Sequence, residues 1–560
     1  MNQDETMNHE EPEATETGTG QPEPAAVEIE AGGSGGGIER RELLKGLAGI
    51  PVVGWLFWRA FRKKGLDDFR KNQIMEELGG LQDAPAILPT ARHAAGEKIR
   101  IGIIGCGGEG NWLSHCIGFT HKWRIDDWTA NNNRAAFEEF RAQPDLNLEL
   151  TAVCDVYDVR ADMALWASNH AEGPNLGKTL PGAKRYRHYQ DMLTSGEIDA
   201  VIIATPDHWH SRMAIDAVNE GIPVYLEKAM TRTEPEARDL RRVVRASGVP
   251  FQLGHQNRQL ESHEKARVII EQGLLGPVNL IEVTTNRNSP DGAWVYGLDD
   301  TGTADAIDWE LWQGAAPNKV PFSAERYFRW RCWFEYGTGL SGDLFSHEYD
   351  AINQILDLGI PETVTASGGI YFYKPEVFHQ YYDRGDHPLT VERDVPDVFS
   401  VACEYPDRNL TLLYSATLSS NEDRGKIFMG HDASMEVGAN LTVRAAGEST
   451  RYREKIESGI IDTSLPLFQW QQGSDRIDAV TSASDRYFLS RGLMYTFRGG
   501  QKVPTNHLHI AEWLDVIRNG GETSCNVEQG FEEAMVCHMA TKSYLEKRQV
   551  RWDPVRERIV

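Results

Sequence analysis

Three kinds of feature are missing from this sequence, and each absence excludes something. No apolar run reaches the roughly 20 residues that a helix needs to cross a bilayer. Positive charge is scarce: 58 Lys and Arg stand against 83 Asp and Glu, a formal net charge of −25. That balance argues against nucleic acid as a partner, because phosphate recognition requires a basic surface. Seven cysteines are scattered with no C-x-x-C pair. An odd number at irregular spacing supports neither a disulfide framework nor a cysteine zinc site, and most read as small buried apolar residues. What remains is a globular composition, 40% hydrophobic and 25% charged, spread over 560 residues. That length exceeds what one core usually sustains, so two folded domains plus extensions are expected.

The extensions come first. Residues 1–37 are rich in Glu, Pro, Thr and Gly, contain no Lys or Arg, and end in G-G-S-G-G-G, which reads as a disordered acidic tail. In residues 38–65, Arg40-Arg41-Glu42-Leu43-Leu44-Lys45 and the apolar stretch from Gly46 to Trp58 resemble a twin-arginine export signal. The resemblance implies contact with the export machinery and delivery to the periplasm in folded form. The long acidic segment ahead of it, and Arg59, Arg62, Lys63 and Lys64 where a small-residue cleavage site would stand, depart from that pattern. The alternative is an amphipathic helix or a membrane-surface anchor, on a protein that is cytoplasmic or associated with a membrane surface. Residues 66–97 read as a linker.

From Lys98 to Gly110 the chain reads K-I-R-I-G-I-I-G-C-G-G-E-G. Ile101, Ile103 and Ile104 suit a strand buried on both faces, and Gly105, Gly107 and Gly110 follow it as G-x-G-x-x-G. One glycine permits a tight turn, one lets backbone approach a pyrophosphate, and one lets the next helix pack closely with its N–H groups facing the phosphates. Cys106, Gly108 and Glu109 complete this loop. Asp155 ends a second apolar strand, Leu148 to Cys154, where a carboxylate would accept hydrogen bonds from an adenosine ribose. It lies more than twice as far along as the usual spacing of about 20 residues, and a polar, Trp-containing insertion around Lys122 to Pro144 accounts for the excess. Further strands at Ile198 to Thr205, Pro223 to Leu226 and Pro250 to Leu253 alternate with helical patterns, the βα alternation of a doubly wound parallel sheet. From Gly276 onward, strand-like segments such as Val278 to Thr285, Thr363 to Tyr373, Val398 to Tyr405 and Leu410 to Ser415 alternate with turn-rich loops. They predict an antiparallel sheet with one exposed face.

A nicotinamide dinucleotide held by the glycine loop would exchange hydride with its substrate, and if that substrate were a secondary alcohol, a base would have to take the hydroxyl proton as hydride leaves the same carbon. His347 meets that need. Asp343, four positions earlier, would share its face of a helix starting near Gly342 and orient the imidazole or hold a neighbouring hydroxyl. Lys228, at the end of a parallel strand, would supply positive charge to a developing alkoxide. No third or fourth ligand joins Asp343 and His347, so no metal is expected. Trp330, Arg331 and Tyr336 would border a substrate as an aromatic platform with a donor, which suits a sugar ring. His509, on an apolar helix with Trp513, reads as structural.

Taken in order, the glycine fingerprint, A-T-P-D-H-W-H, E-K-A-M and G-T-G-L-S-G-D-L-F-S-H-E-Y-D resemble the Gfo/Idh/MocA oxidoreductases, over roughly Lys98 to Pro554. Ala229 stands where that family usually has the proline of E-K-P. The resemblance implies an α/β chain: a Rossmann dinucleotide-binding domain, residues 98–258, followed by an α+β domain, residues 259–560, with an open-faced, mostly antiparallel sheet that carries substrate and often a homo-oligomer interface. It implies Lys228, Asp343 and His347 as the catalytic set, and Thr205, Pro206, His208, Glu227 and Lys228 against the nicotinamide and its ribose. Gln256, Asn257 and Arg258 are further contacts of that kind. The expected activity is NAD(P)-dependent transfer of hydride between nicotinamide and a secondary hydroxyl of a sugar, inositol or glycoside. NAD is favoured over NADP because Asp155 would repel a 2′-phosphate. The alternatives are a glycosidase that uses tightly bound NAD for transient oxidation and elimination, and a non-catalytic protein that binds a sugar or nucleotide.

Overall fold

The computed structural model describes residues 97–382, 392–422, 424–472, 477–478, 494–498 and 501–560. The expectations for residues 1–96, including the export-like segment, lie outside the described residues.

The isoleucine run forms β1 (Ile99–Ile104), with Ile101, Ile103 and Ile104 all buried. Around it β2 (Leu148–Cys154), β3 (Lys184–Tyr186), β4 (Ala200–Ile203), β5 (Val224–Leu226) and β6 (Phe251–Leu253) build a six-stranded sheet in the order β3-β2-β1-β4-β5-β6. Every pairing in it is parallel. This is the doubly wound order, whose direction reverses between β1 and β4, and ligands bind outside the carboxyl ends at that point. The glycine loop follows β1 and Thr205 follows β4, so both stand at the reversal. The long spacing before Asp155 is filled by helices Lys122–Ala130 and Arg134–Arg141. They pack through Phe140, which stacks on His115 at 4.5 Å. Helix Glu234–Ser247 starts with a Thr233/Glu236 capping box and stops at left-handed Gly248, as its sequence dictates.

The second half forms an eleven-stranded sheet, ordered β15-β14-β13-β12-β11-β7-β10-β9-β8-β18-β19. Its strands are β7 (Val278–Asn286), β8 (Thr363–Gly369), β9 (Val398–Tyr405), β10 (Leu410–Thr417), β11 (Lys426–Gly430), β12 (Ala433–Val437), β13 (Leu441–Ala445), β14 (Phe468–Trp470), β15 (Ile477–Asp478), β18 (Val550–Asp553) and β19 (Arg558–Ile559). A separate ribbon pairs β16 (Tyr495–Arg498) with β17 (Gln501–Pro504). The β7–β10 pairing is parallel, and the other ladders of this sheet are antiparallel. Period-two burial is clean in β10, where Leu410, Leu412, Tyr414 and Ala416 point into the core. Helices Ser346–Leu356 and Val527–Glu546 contribute Ile352, Val536 and Met539 to that core. On the other face Ser400 and Glu404 are exposed, so the sheet is open on one side. The strand expected over Thr363 to Tyr373 ends at Gly369: the Asp397 carboxylate then accepts the N–H groups of Tyr371, Phe372 and Tyr373 and turns the chain into helix Pro375–Tyr382.

The two halves interlock. Helix Thr505–Asn519 packs Ile510, Trp513 and Leu514 against the first sheet. Gln252 of β6 donates to the His509 carbonyl at 2.9 Å, and His509 Nε2 lies 2.8 Å from the Leu253 carbonyl, the structural role expected for it. In the other direction, backbone bonds from Asp158 to Ala306 (3.0 Å) and from Asp308 to Val156 (2.9 Å) dock part of the second half beside the cofactor crevice.

Candidate active site

The crevice floor is the loop after β1. Gly105 has φ +88°, and a Cβ there would lie 2.5 Å from the Ala204 carbonyl oxygen; one on Gly110 would lie 1.9 Å from the Gly105 carbonyl. Gly107 is half-buried and Gly108 exposed, while helix Gly108–Cys116 starts with no side-chain cap. Its N–H groups are therefore free for an anion, and the loop fits the pyrophosphate of a dinucleotide.

Asp155 supports this loop from within. It is 7% exposed; one oxygen accepts the Cys106 N–H at 2.7 Å and the other the Tyr157 N–H at 2.8 Å. Burial raises its carboxyl pKa, and the Arg160 charge and the two N–H groups oppose that rise. Instead of standing free for a ribose, this carboxylate already ties two loops together, and a sugar hydroxyl would meet only its remaining lone pairs. Arg160 lies across the loop, 3.1 Å from where a Gly107 Cβ would be and over the rings of Tyr157, Tyr327 and Phe328.

Lys228, just beyond β5, reaches Asp343: Nζ donates to Oδ1 at 2.9 Å, and both side chains are largely buried. Arg331 Nε donates to the same oxygen at 2.9 Å. Burial alone would raise the Asp343 pKa, but the ammonium and the guanidinium outweigh it and hold the carboxyl well below its usual range. Asp343 sits in a π-helical turn, Ser341–Phe345, rather than in the regular helix expected. The turn is wedged close to Lys228–Ala229: a Cβ on Gly342 would fall 2.0 Å from Thr338 Oγ1 and 3.1 Å from the Ala229 Cβ. Such turns concentrate at functional sites. His347 follows in the first turn of helix Ser346–Leu356. The expectation that Asp343 orients its imidazole is corrected. Asp343 bonds Lys228 and Arg331, and the enclosed Nδ1 of His347 has no hydrogen-bond partner. Burial, then the charges of Lys228 and His255, push the His347 pKa well below the ordinary value, so the ring is neutral at neutral pH.

Two further residues are corrected. Tyr336 is fully buried, its ring against Trp312 (4.6 Å between centroids) and His208 (5.3 Å). It is core and does not border a substrate. His208 is 3% exposed with Nε2 2.9 Å from the Trp312 carbonyl, so it braces that core, and its Nδ1 is enclosed without a partner. The Arg331 guanidinium lies 4.2 Å over the Trp330 indole and is part exposed. Thr205 and Pro206 are half-buried at the end of β4, and the Thr205 carbonyl receives His210 Nε2 at 2.6 Å. Glu227 is buried with Oε1 unpaired. Burial, and then the charge of Glu109, push its carboxyl pKa well up, and burial likewise raises that of Glu109. Of the weaker candidates, Arg258 is taken up by a buried pair with Asp350 at 2.6 Å. Sequence reading passed over Arg287, whose charge acts on both Asp343 and His347, and His255, whose ring meets that of His347 edge-on. The only available signal for His255 was its place immediately after a parallel strand.

Two family models match this chain. An oxidoreductase family, NAD-binding Rossmann fold, matches residues 99–255, and the C-terminal alpha/beta domain of the same family matches residues 315–552, together well over half of the sequence. The chain belongs to the Gfo/Idh/MocA oxidoreductase family. Its nucleotide-binding half is thus of the NAD-binding type. An uncharacterized oxidoreductase of Streptococcus pneumoniae is 27% identical over 199 residues, 35% of this chain and 44% of that protein. The scyllo-inositol 2-dehydrogenase (NADP(+)) IolW of Bacillus subtilis is 26% identical over 379 residues, 67% of this chain and 84% of IolW. The alignments to the first curated relatives it matches span less than half of their length. Levoglucosan dehydrogenase, solved in complex with NADH and levoglucosan, shares the fold of this Gfo/Idh/MocA member at TM-score 0.50 and 16% identity, covering 81% of this chain and 99% of that one.

Proposed function

We propose that the protein transfers hydride between NAD and a secondary hydroxyl of a sugar, inositol or glycoside, with Lys228, Asp343 and His347 as its acid–base set. The observation that carries this reading is one carboxylate oxygen shared by two cations: Asp343 Oδ1 at 2.9 Å from both Lys228 Nζ and Arg331 Nε, at the carboxyl edge of the first sheet. NAD, when bound, accepts the hydride. His347, neutral at neutral pH, takes the hydroxyl proton, and the Lys228 ammonium steadies the oxyanion that forms. Asp343 fixes both cations, and Trp330 with Arg331 presents a flat face and a donor to the sugar ring. Asp155 favours NAD over NADP, since a carboxylate that a 2′-phosphate would approach repels it. We further propose export by the twin-arginine route, on the Arg40-Arg41 segment, and self-association through the open sheet face.

The test is to purify the full chain without added cofactor, identify any co-purifying dinucleotide by mass, and screen sugars and polyols for a change in reduced-nicotinamide absorbance. A substrate-dependent change that His347→Ala abolishes is expected. Glycoside cleavage with no net cofactor change would replace this reading with the eliminating glycosidase, and sugar binding that His347→Ala leaves intact with no hydride transfer would reduce it to a binding protein.

A further inference from the structure

Beside His347 lies a run of polar groups that the proposed chemistry does not use. The His255 ring, just beyond β6, stands edge-on to the His347 ring with centroids 5.4 Å apart and planes at 89°. Its Nε2 lies 3.6 Å from Glu533 Oε2, and both side chains are 1% exposed. Glu533 belongs to helix Val527–Glu546, and its other oxygen is 3.1 Å from the Cys537 thiol. His347 Nδ1, both ring nitrogens of His255 and Glu533 Oε2 are all enclosed without a hydrogen-bond partner. Buried polar atoms are almost always satisfied. Orphans gathered around two neighbouring rings, with 3.6 Å between His255 Nε2 and Glu533 Oε2, mark a place for ordered water.

We propose that His255 and Glu533 are positioning residues that form a proton relay beside His347, linked to it by one bridging water. For the reaction itself this rests on the function proposed above. The hydroxyl proton of the substrate passes to Nε2 of His347; the proton on Nδ1 passes through the water to His255; and His255 gives the proton on its other nitrogen to Glu533 Oε2. One proton moves from a hydroxyl to a carboxylate, and no electrons change hands in the relay. The arrangement also fixes a tautomer. With an acceptor beside it, the neutral His347 ring carries its proton on Nδ1, leaving Nε2 free to act as the base. The low basicity of His347, surrounded by Lys228, Arg287 and His255, fits a ring that hands its proton on instead of keeping it.

The tautomer is read without substrate or cofactor, so this test stands apart from the fate of the dehydrogenase reading. Long-range proton–nitrogen spectra of the full chain, labelled with ¹⁵N-histidine, identify His347 by the signal missing from His347→Ala. The Nδ1–H form is expected in the unaltered protein, and Glu533→Gln is expected to move population to the Nε2–H form. An Nε2–H ring in the unaltered protein overturns the relay even if the variant fails to fold, and so does a tautomer that Glu533→Gln leaves unmoved. Once a substrate is known, Glu533→Gln and His255→Gln are expected to lower kcat by roughly 10- to 100-fold, below the factor of about 10²–10⁴ that a positioned acid or base supplies. KM should stay within about twofold, because both side chains are 1% exposed, and Glu533→Asp should recover part of the rate. An unchanged kcat in both variants overturns the relay as well.

Discussion

At the scale of single residues, Asp343 decides the most. One of its oxygens holds Lys228 and Arg331 at once, and its charge is what keeps two cations side by side in a largely buried pocket. Asp343→Asn keeps the shape and removes the charge. The expected result is a loss of about 10²-fold or more in kcat with dinucleotide binding retained, read from steady-state rates beside a fluorescence titration with NADH. The positions of Lys228 and His347 were legible because their neighbours in the chain fix them: one follows a strand, and the other stands in the first turn of a helix. Tyr336 and His208 were misread for a different reason. Aromatic and imidazole rings serve equally as core and as lining, and only the packing of Trp312 against both shows which they are. Glu533 was invisible, since nothing near it in the chain signals that its helix passes beside His255.

At the scale of elements, the glycine loop and the π-helical turn have the least freedom. A methyl group on Gly110 would sit on the Gly105 carbonyl, and backbone cannot move aside as a flexible side chain would. Gly110→Ala is therefore expected to cost about 1–3 kcal/mol and to weaken NADH binding, checked by urea unfolding and by the same fluorescence titration. The strands and helices of the first sheet were readable from sequence because doubly buried β-branched runs and capped amphipathic helices alternate there. The π-helical turn was not. An i, i+4 spacing predicts stacking on one helical face, but the wider turn sends Asp343 toward Lys228 and leaves His347 to other partners.

At the scale of the whole molecule, buried neutral histidines set the response to acid. Burial lowers the pKa of His121 to about 4, and those of His208, His263 and His538 to about 3. Between those values and the unfolded value near 6.5, the unfolded chain binds protons that the folded one refuses, so stability falls as pH falls through that window. Each such group contributes a slope on the order of 1.4 kcal/mol per pH unit at most. The midpoint of urea unfolding is expected to be lower at pH 5 than at pH 7.5, and equal midpoints would count against these burials. The order of the two halves along the chain was plain in the sequence. Their interlocking was not, because the apolar face of helix Thr505–Asn519 names no partner until the fold brings it to the first sheet.

That helix has a consequence for how the molecule is made. Gln252 and the carbonyl it grips on His509 are 257 positions apart. The nucleotide half, synthesised before that helix, has to wait until residues 505–519 have been translated before one face of its sheet is covered. A ribosome that stalls before Thr505 therefore releases a chain with that face bare, a substrate for chaperones and proteases instead of a smaller working protein.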